Sequence, residues 1–126
     1  MLLVTDIGVL RERYQGEWKI EHFIKTPEDY QIMTRALEDV QVHTDNSAFE
    51  ESERKLGGGG ITVGQLIGLG TGRTPLMVLQ VDWVGLEQWS LDIAMEEPEM
   101  MELLEVMNDI KLREIRAAAA RPCAVR

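Results

Sequence analysis

Five consecutive residues, Gly70, Thr71, Gly72, Arg73 and Thr74, form the most chemistry-bearing pattern in this sequence. They follow Gly68-Leu69 and precede Pro75, so small side chains leave backbone N–H groups open to a ligand and Arg73 adds one cation. An anion is what such a loop would hold. It lacks the Lys-Ser/Thr pair of a P-loop, and its glycines are not spaced as in the dinucleotide fingerprint, so neither nucleotide site is expected. The competing reading is a tight strand-to-helix turn that needs glycine for its backbone geometry alone. Position carries the functional reading: in parallel β/α folds, loops at the carboxyl ends of strands line the active site.

Other chemistry-bearing residue types are less organised. Between Arg73 and Lys111 there is no Lys or Arg, while Asp82, Glu87, Asp92, Glu96, Glu97, Glu99, Glu102, Glu105 and Asp109 are acidic. These acids fall at mixed helical angles, as on solvated faces, and do not converge as metal ligands would. Asp82 stands apart because its neighbours are apolar, and capping a helix break before Gly85 is its expected role. His22 and His43 read as packed or surface imidazoles. Cys123 follows a helix C-terminus, which does not activate a thiolate. Trp18, Trp83 and Trp89 are expected in the core or at an interface. No catalytic residue, metal or cofactor is assigned.

The elements that must position the loop can be read in order. Residues 5–24 form an expected β-hairpin about Gln15-Gly16, with Arg11, Glu12, Arg13, Lys19 and Glu21 on a solvated face. Residues 26–56 form two expected helices. Thr26 caps the first, Pro27 occupies its first position, and Glu28 and Asp29 face the positive dipole end. Its buried face is Tyr30, Met33, Leu37 and Val40, and a short strand over residues 40–43 follows. Asp45 or Asn46 caps the second helix, and Gly57 stops it.

Residues 61–69 read as an apolar strand of the kind buried on both faces of a parallel sheet. Residues 75–120 then form two long helices, the first broken near Gly85 and the second starting at Pro98. Met101, Leu104, Met107, Ile110 or Leu112, Ile115 and Ala118 mark the apolar stripe of the second. Cys123-Ala124-Val125 reads as the start of a further strand, so an internal fragment of a larger domain is expected.

The chain has 126 residues, 44% of them apolar, and a formal net charge of -9. That charge repels phosphate backbones and anionic bilayers, so no nucleic acid and no membrane partner is expected. One cysteine, no signal-peptide pattern and no long apolar run point to a cytoplasmic protein.

Gly8-Val9-Leu10-Arg11-x-Arg13-Tyr14, the stretch from Glu21-His22-Phe23-Ile24 through Lys25-Thr26-Pro27-Glu28-Asp29-Tyr30, Gly68-x-Gly70 leading to Thr74-Pro75-Leu76, and Val81-Asp82-Trp83-Val84-Gly85-Leu86-Glu87 together resemble the uroporphyrinogen decarboxylase family. The likeness covers nearly the whole chain, and it is closest to the uroporphyrinogen-decarboxylase-like and corrinoid methyltransferase branches. It implies an α/β fold: a partial (β/α)8 TIM-barrel fragment with an N-terminal β-hairpin and two long C-terminal helices. It also implies a parent lyase acting on a tetrapyrrole in porphyrin biosynthesis, or a corrinoid-dependent methyltransferase, with Gly70, Thr71, Gly72, Arg73 and Thr74 facing that ligand. The family's decarboxylases place a substrate-contacting tyrosine where this chain has Leu79. The remaining alternative is a non-catalytic truncated product or interaction module, and homo-oligomerisation is compatible with it.

Overall fold

The computed structural model describes residues 1–63, 69 and 72–120. Four short strands come first: β1 (Leu2–Val4), β2 (Val9–Arg11), β3 (Arg13–Gln15) and β4 (Trp18–Glu21). They form two separate antiparallel pairs, β1 with β2 and β3 with β4. Short connections explain this, because a few residues reverse a chain for antiparallel pairing whereas a parallel neighbour needs a crossover of a dozen or more. Gly16, in the left-handed region at φ 62°, makes the turn between β3 and β4. The hairpin about Gln15-Gly16 is therefore present, but residues 2–11 form a second one that the sequence reading missed.

Among the described residues five α-helices follow. The first, α1 (Pro27–Glu38), starts as its local chemistry dictates: Thr26 Oγ1 accepts from the Asp29 amide, and the Asp29 carboxylate accepts in return from the Thr26 amide at 3.1 Å. Next comes α2 (Ser47–Leu56), which buries no residue and ends at Gly57. A short α3 (Pro75–Val78) passes directly into a π-helical turn, Leu79–Trp83. Gly85 then breaks the chain, and α4 (Leu86–Ala94) and α5 (Pro98–Ala119) complete the order.

The core lies where α1 and α3 pack on α5. Tyr30, Met33 and Leu37 from α1 meet Met100, Leu103, Met107 and Ile110 from α5, with Val78, Leu79, Leu10 and Ile24 closing the cluster. Leu10 and Ile24 bring the strand region onto this helical layer.

The expected partial (β/α)8 barrel is not what the described residues form. They contain no parallel strand pair, and both sheets are two-stranded antiparallel ribbons. Helix-on-helix packing replaces helix-on-sheet packing as the source of the core. Residues 40–43 are irregular. Of the strand expected over 61–69, residues 64–68 lie outside the described set, residues 61–63 are irregular, and Leu69 sits in a turn. The buried stripe of α5 also runs one residue earlier than expected over its first turns, through Met100 and Leu103 instead of Met101 and Leu104.

One polar tie crosses the core. Asp92 on α4 is 8% exposed, and its carboxylate accepts hydrogen bonds from the Tyr30 hydroxyl and from Gln88 Nε2, the latter at 2.9 Å. Burial, and then the Asp92 carboxylate, raise the Tyr30 phenol well above its ordinary value, so it stays a donor. Tyr30→Phe removes one hydrogen bond to a charged group and should lower stability by about 1.5 kcal/mol, read as a shift in the urea midpoint.

Candidate functional site

The site grows from the π-helical turn. The helical segment ends with this turn, and the last carbonyls of a helix have no intrahelical partner, so they need other donors. Here the region around β4 supplies them. Lys19 Nζ donates to the Asp82 carbonyl at 2.7 Å and the Ile24 amide donates to the Trp83 carbonyl at 2.9 Å. The His22 ring is hydrogen-bonded to the Val81 backbone. Three successive residues of the turn are thus held by one short stretch of chain.

Charged side chains surround this junction. Glu12 is 5% exposed and pairs with Lys19 Nζ at 2.9 Å, and the same ammonium lies 5.3 Å from the centroid of the Tyr14 ring. Desolvation alone would lower the Lys19 pKa, but the Glu12 carboxylate and the Tyr14 side chain outweigh it and hold the value above the ordinary one. Asp82 directs its carboxylate at Arg73, whose Nη1 donates to both oxygens at 2.7 and 2.6 Å.

His22 fills the gap left by Gly85. A Cβ at Gly85 would stand 3.0 Å from the His22 Cε1, so ring and backbone are already in contact. Burial first, and then the Lys19 ammonium, push the His22 imidazole below its ordinary value, outweighing the Val81 backbone and the carboxylates of Glu12 and Asp82. The unfolded chain, with the higher pKa, therefore binds the proton more readily. His22 thus contributes stability above pH 6.5 that is lost as pH falls through its depressed folded value. A series of urea melts should show stability falling below pH 6.5 in the wild type and a shallower fall in His22→Gln.

Three of the five sequence-assigned residues are described. Gly70 and Thr71 lie outside the described residues. Gly72 is left-handed at φ 76°, which supports the structural reading of a glycine turn. The side-chain oxygen of Thr74 accepts from the Met77 amide at 3.3 Å, so it caps α3. Arg73 is committed to Asp82, which neutralises the cation that the loop was expected to offer. Asp82 itself does not cap the break before Gly85. Trp18 is 80% exposed and belongs to no core.

What the sequence reading missed is the inward face of the β3–β4 hairpin. Lys19 and Glu21 face the body of the protein while Trp18 and Ile20 face solvent, the reverse of the usual alternation. A local signal was available, because Glu12 is two residues from the buried Leu10 and so shares its side of the chain.

A cleft lies elsewhere among the described residues, a space of about 480 Å³ between the β1–β2 turn and α1, lined by Thr5, Asp6, Arg35 and Asp39 among others. Its cation, Arg35, already pairs with Asp6 at 3.1 Å and Glu38 at 2.8 Å. Among the described residues, no group of three or more His, Cys, Asp or Glu is placed to hold a metal ion. No helix among them is long and apolar enough to cross a membrane. No family model, curated protein or solved structure matches the chain.

Proposed function

We propose that this chain is the acidic-ligand segment of a uroporphyrinogen-decarboxylase-like enzyme, whose parent decarboxylates a tetrapyrrole. One observation supports the reading above the others. The two stretches that carry the resemblance, residues 21–30 and 81–87, lie far apart in sequence yet meet at the π turn, where the Ile24 amide bonds the Trp83 carbonyl. The two stretches are therefore in direct backbone contact, and Arg73 pairs with Asp82 of the second.

In this reading Gly70, Thr71, Gly72 and Thr74 lend backbone N–H groups, and Arg73 exchanges the Asp82 carboxylate for one on the ligand. That exchange is reasonable for an exposed ion pair, which contributes little stability of its own. The described residues bring together no nucleophile and base, so no bond-breaking role is assigned to any of them.

A titration with uroporphyrin, an oxidised stand-in that keeps the substrate's carboxylates, tests the assignment through the porphyrin absorption band. Saturable binding is expected, with affinity falling roughly tenfold in Arg73→Ala, as for loss of a hydrogen bond to a charged group. Absence of saturation overturns the tetrapyrrole reading. Saturable binding of hydroxocobalamin in its place would move the chain to a corrinoid methyltransferase.

A second reading, a non-catalytic interaction module, is favoured by the outward apolar faces of both hairpins. Leu2, Val4 and Val9 lie on one, Trp18 and Ile20 on the other, and all are more than half exposed. Light scattering on a sizing column distinguishes a defined oligomer from a monomer.

A further inference from the structure

The hairpins are joined through the single buried residue Glu12, and the corner it makes brings cations from three segments to one point. Arg11 from β2 donates to Glu21 Oε1 through Nε and Nη2, each at 3.3 Å. Arg13 from β3 donates through Nε to Oε2, and Lys25, just ahead of α1, donates through Nζ to Oε1 at 2.7 Å. Lys25 is also anchored on the Arg11 carbonyl at 3.1 Å, which ties the beginning of α1 to β2. Neighbouring carboxylates are occupied elsewhere: Glu12 pairs with Lys19, and Asp29 accepts from the amides of Lys25 and Thr26.

Three cations thus face one carboxylate on a chain whose net charge is -9. The two arginine side chains are more than half exposed. Arg11 Nη1 and both terminal nitrogens of Arg13 have no partner among the described residues. Unused guanidinium edges beside a surplus of positive charge match paired oxygens, because planar forks bind carboxylate and phosphate through two parallel hydrogen bonds.

We infer that Arg11, Arg13 and Lys25 form a binding site for a small, multiply charged oxyanion, a phosphate or polycarboxylate, with Glu21 as the resident counter-ion that gathers them. The Glu21 carboxyl, pulled down to about 2 by Lys25 and Arg13 and then Arg11, reports the positive potential at this point. This site uses none of residues 70–74 and stands independently of the tetrapyrrole reading.

The test follows the arginine side-chain Nε–H signals by NMR at low ionic strength, with inorganic pyrophosphate in one arm and citrate in the other. Saturable shifts of the Arg11 and Arg13 signals are expected. Arg13→Ala should weaken binding roughly tenfold, and Arg13→Lys should also weaken it because the charge remains while the fork is lost. Glu21→Gln should tighten binding, since it removes the competing carboxylate. Arg35→Ala, in the separate pair with Asp6, should leave affinity unchanged. Saturation with only one anion supports the site and identifies the ligand class. Shifts that rise without saturating in both arms, or affinities equal in wild type, Arg13→Ala and Arg13→Lys, would overturn it. Should Glu21→Gln fail to fold, the two Arg13 variants decide alone. No porphyrin is involved, so failure here and failure of the uroporphyrin titration are separately readable.

Discussion

Lys19→Met should be the most damaging single substitution in the hairpin region, lowering stability by about 3 kcal/mol and the melting temperature by roughly 10 °C. The substitution keeps most of the side-chain volume, so packing is not what it removes. It leaves the Glu12 carboxylate, 7% exposed at its side chain, without the ammonium at 2.9 Å, and it strips the Asp82 carbonyl of its donor. An uncompensated buried charge is costly, whereas replacing both members of such a pair often is not. The double variant Glu12→Gln/Lys19→Met should therefore recover most of the loss. Urea unfolding of the two single variants and the double variant gives the coupling directly. A loss under about 1 kcal/mol for Lys19→Met would show that Glu12 is better solvated than its burial implies.

Gly85→Ala should cost about 2 to 3 kcal/mol. Two separate effects contribute. At φ 92° and ψ 154° the backbone is in a region that only glycine occupies without strain. The new methyl group would also stand 3.0 to 3.3 Å from three atoms of the His22 ring, tighter than ordinary contact. The double variant His22→Ala/Gly85→Ala separates them, since it relieves the contact and leaves the backbone strain. Recovery of a minor part of the loss is expected, measured against His22→Ala alone. Full recovery would assign the whole effect to the ring and remove the backbone explanation.

The parts of the fold that could be read from sequence are those governed by local chemistry. Thr26-Pro27 and Thr74-Pro75 start helices because a hydroxyl acceptor and a proline satisfy a helix end within a few residues, whatever the tertiary context. Gly57 and Gly85 mark breaks for the same reason: positive φ is a property of one residue. Where the reading failed, two registers were equally good locally. Met100-Met101 and Leu103-Leu104 are adjacent apolar pairs on α5, so periodicity cannot choose between them, and only packing against α1 selects Met100 and Leu103. The alternation of residues in the β3–β4 hairpin places its charged face in water. The observed face is the reverse: Lys19 turns inward, where it donates to the Asp82 carbonyl at the helix end and pairs with Glu12. The apolar run at 61–69 suggests a buried parallel strand, but pairing is a non-local property that a single run does not carry. At the candidate site, the types of Arg73 and Asp82 are legible and their pairing is not, since they lie nine positions apart with α3 and part of the π turn between them.

Two long-range hydrogen bonds also have a kinetic meaning. Lys19 to Asp82 spans 63 positions and Tyr30 to Asp92 spans 62, so both close nearly the same large loop. Much of what lies inside that loop, from residue 41 through α2 to residue 63, contributes no residue to the main core. Thermodynamically it acts as a tether. Loop-closure entropy grows only with the logarithm of length, about 0.6 kcal/mol per doubling, so lengthening or shortening this segment around α2 should change equilibrium stability little. Its effect should fall instead on the rate at which the two ends find each other, making the residues 41–63 a dial on folding speed.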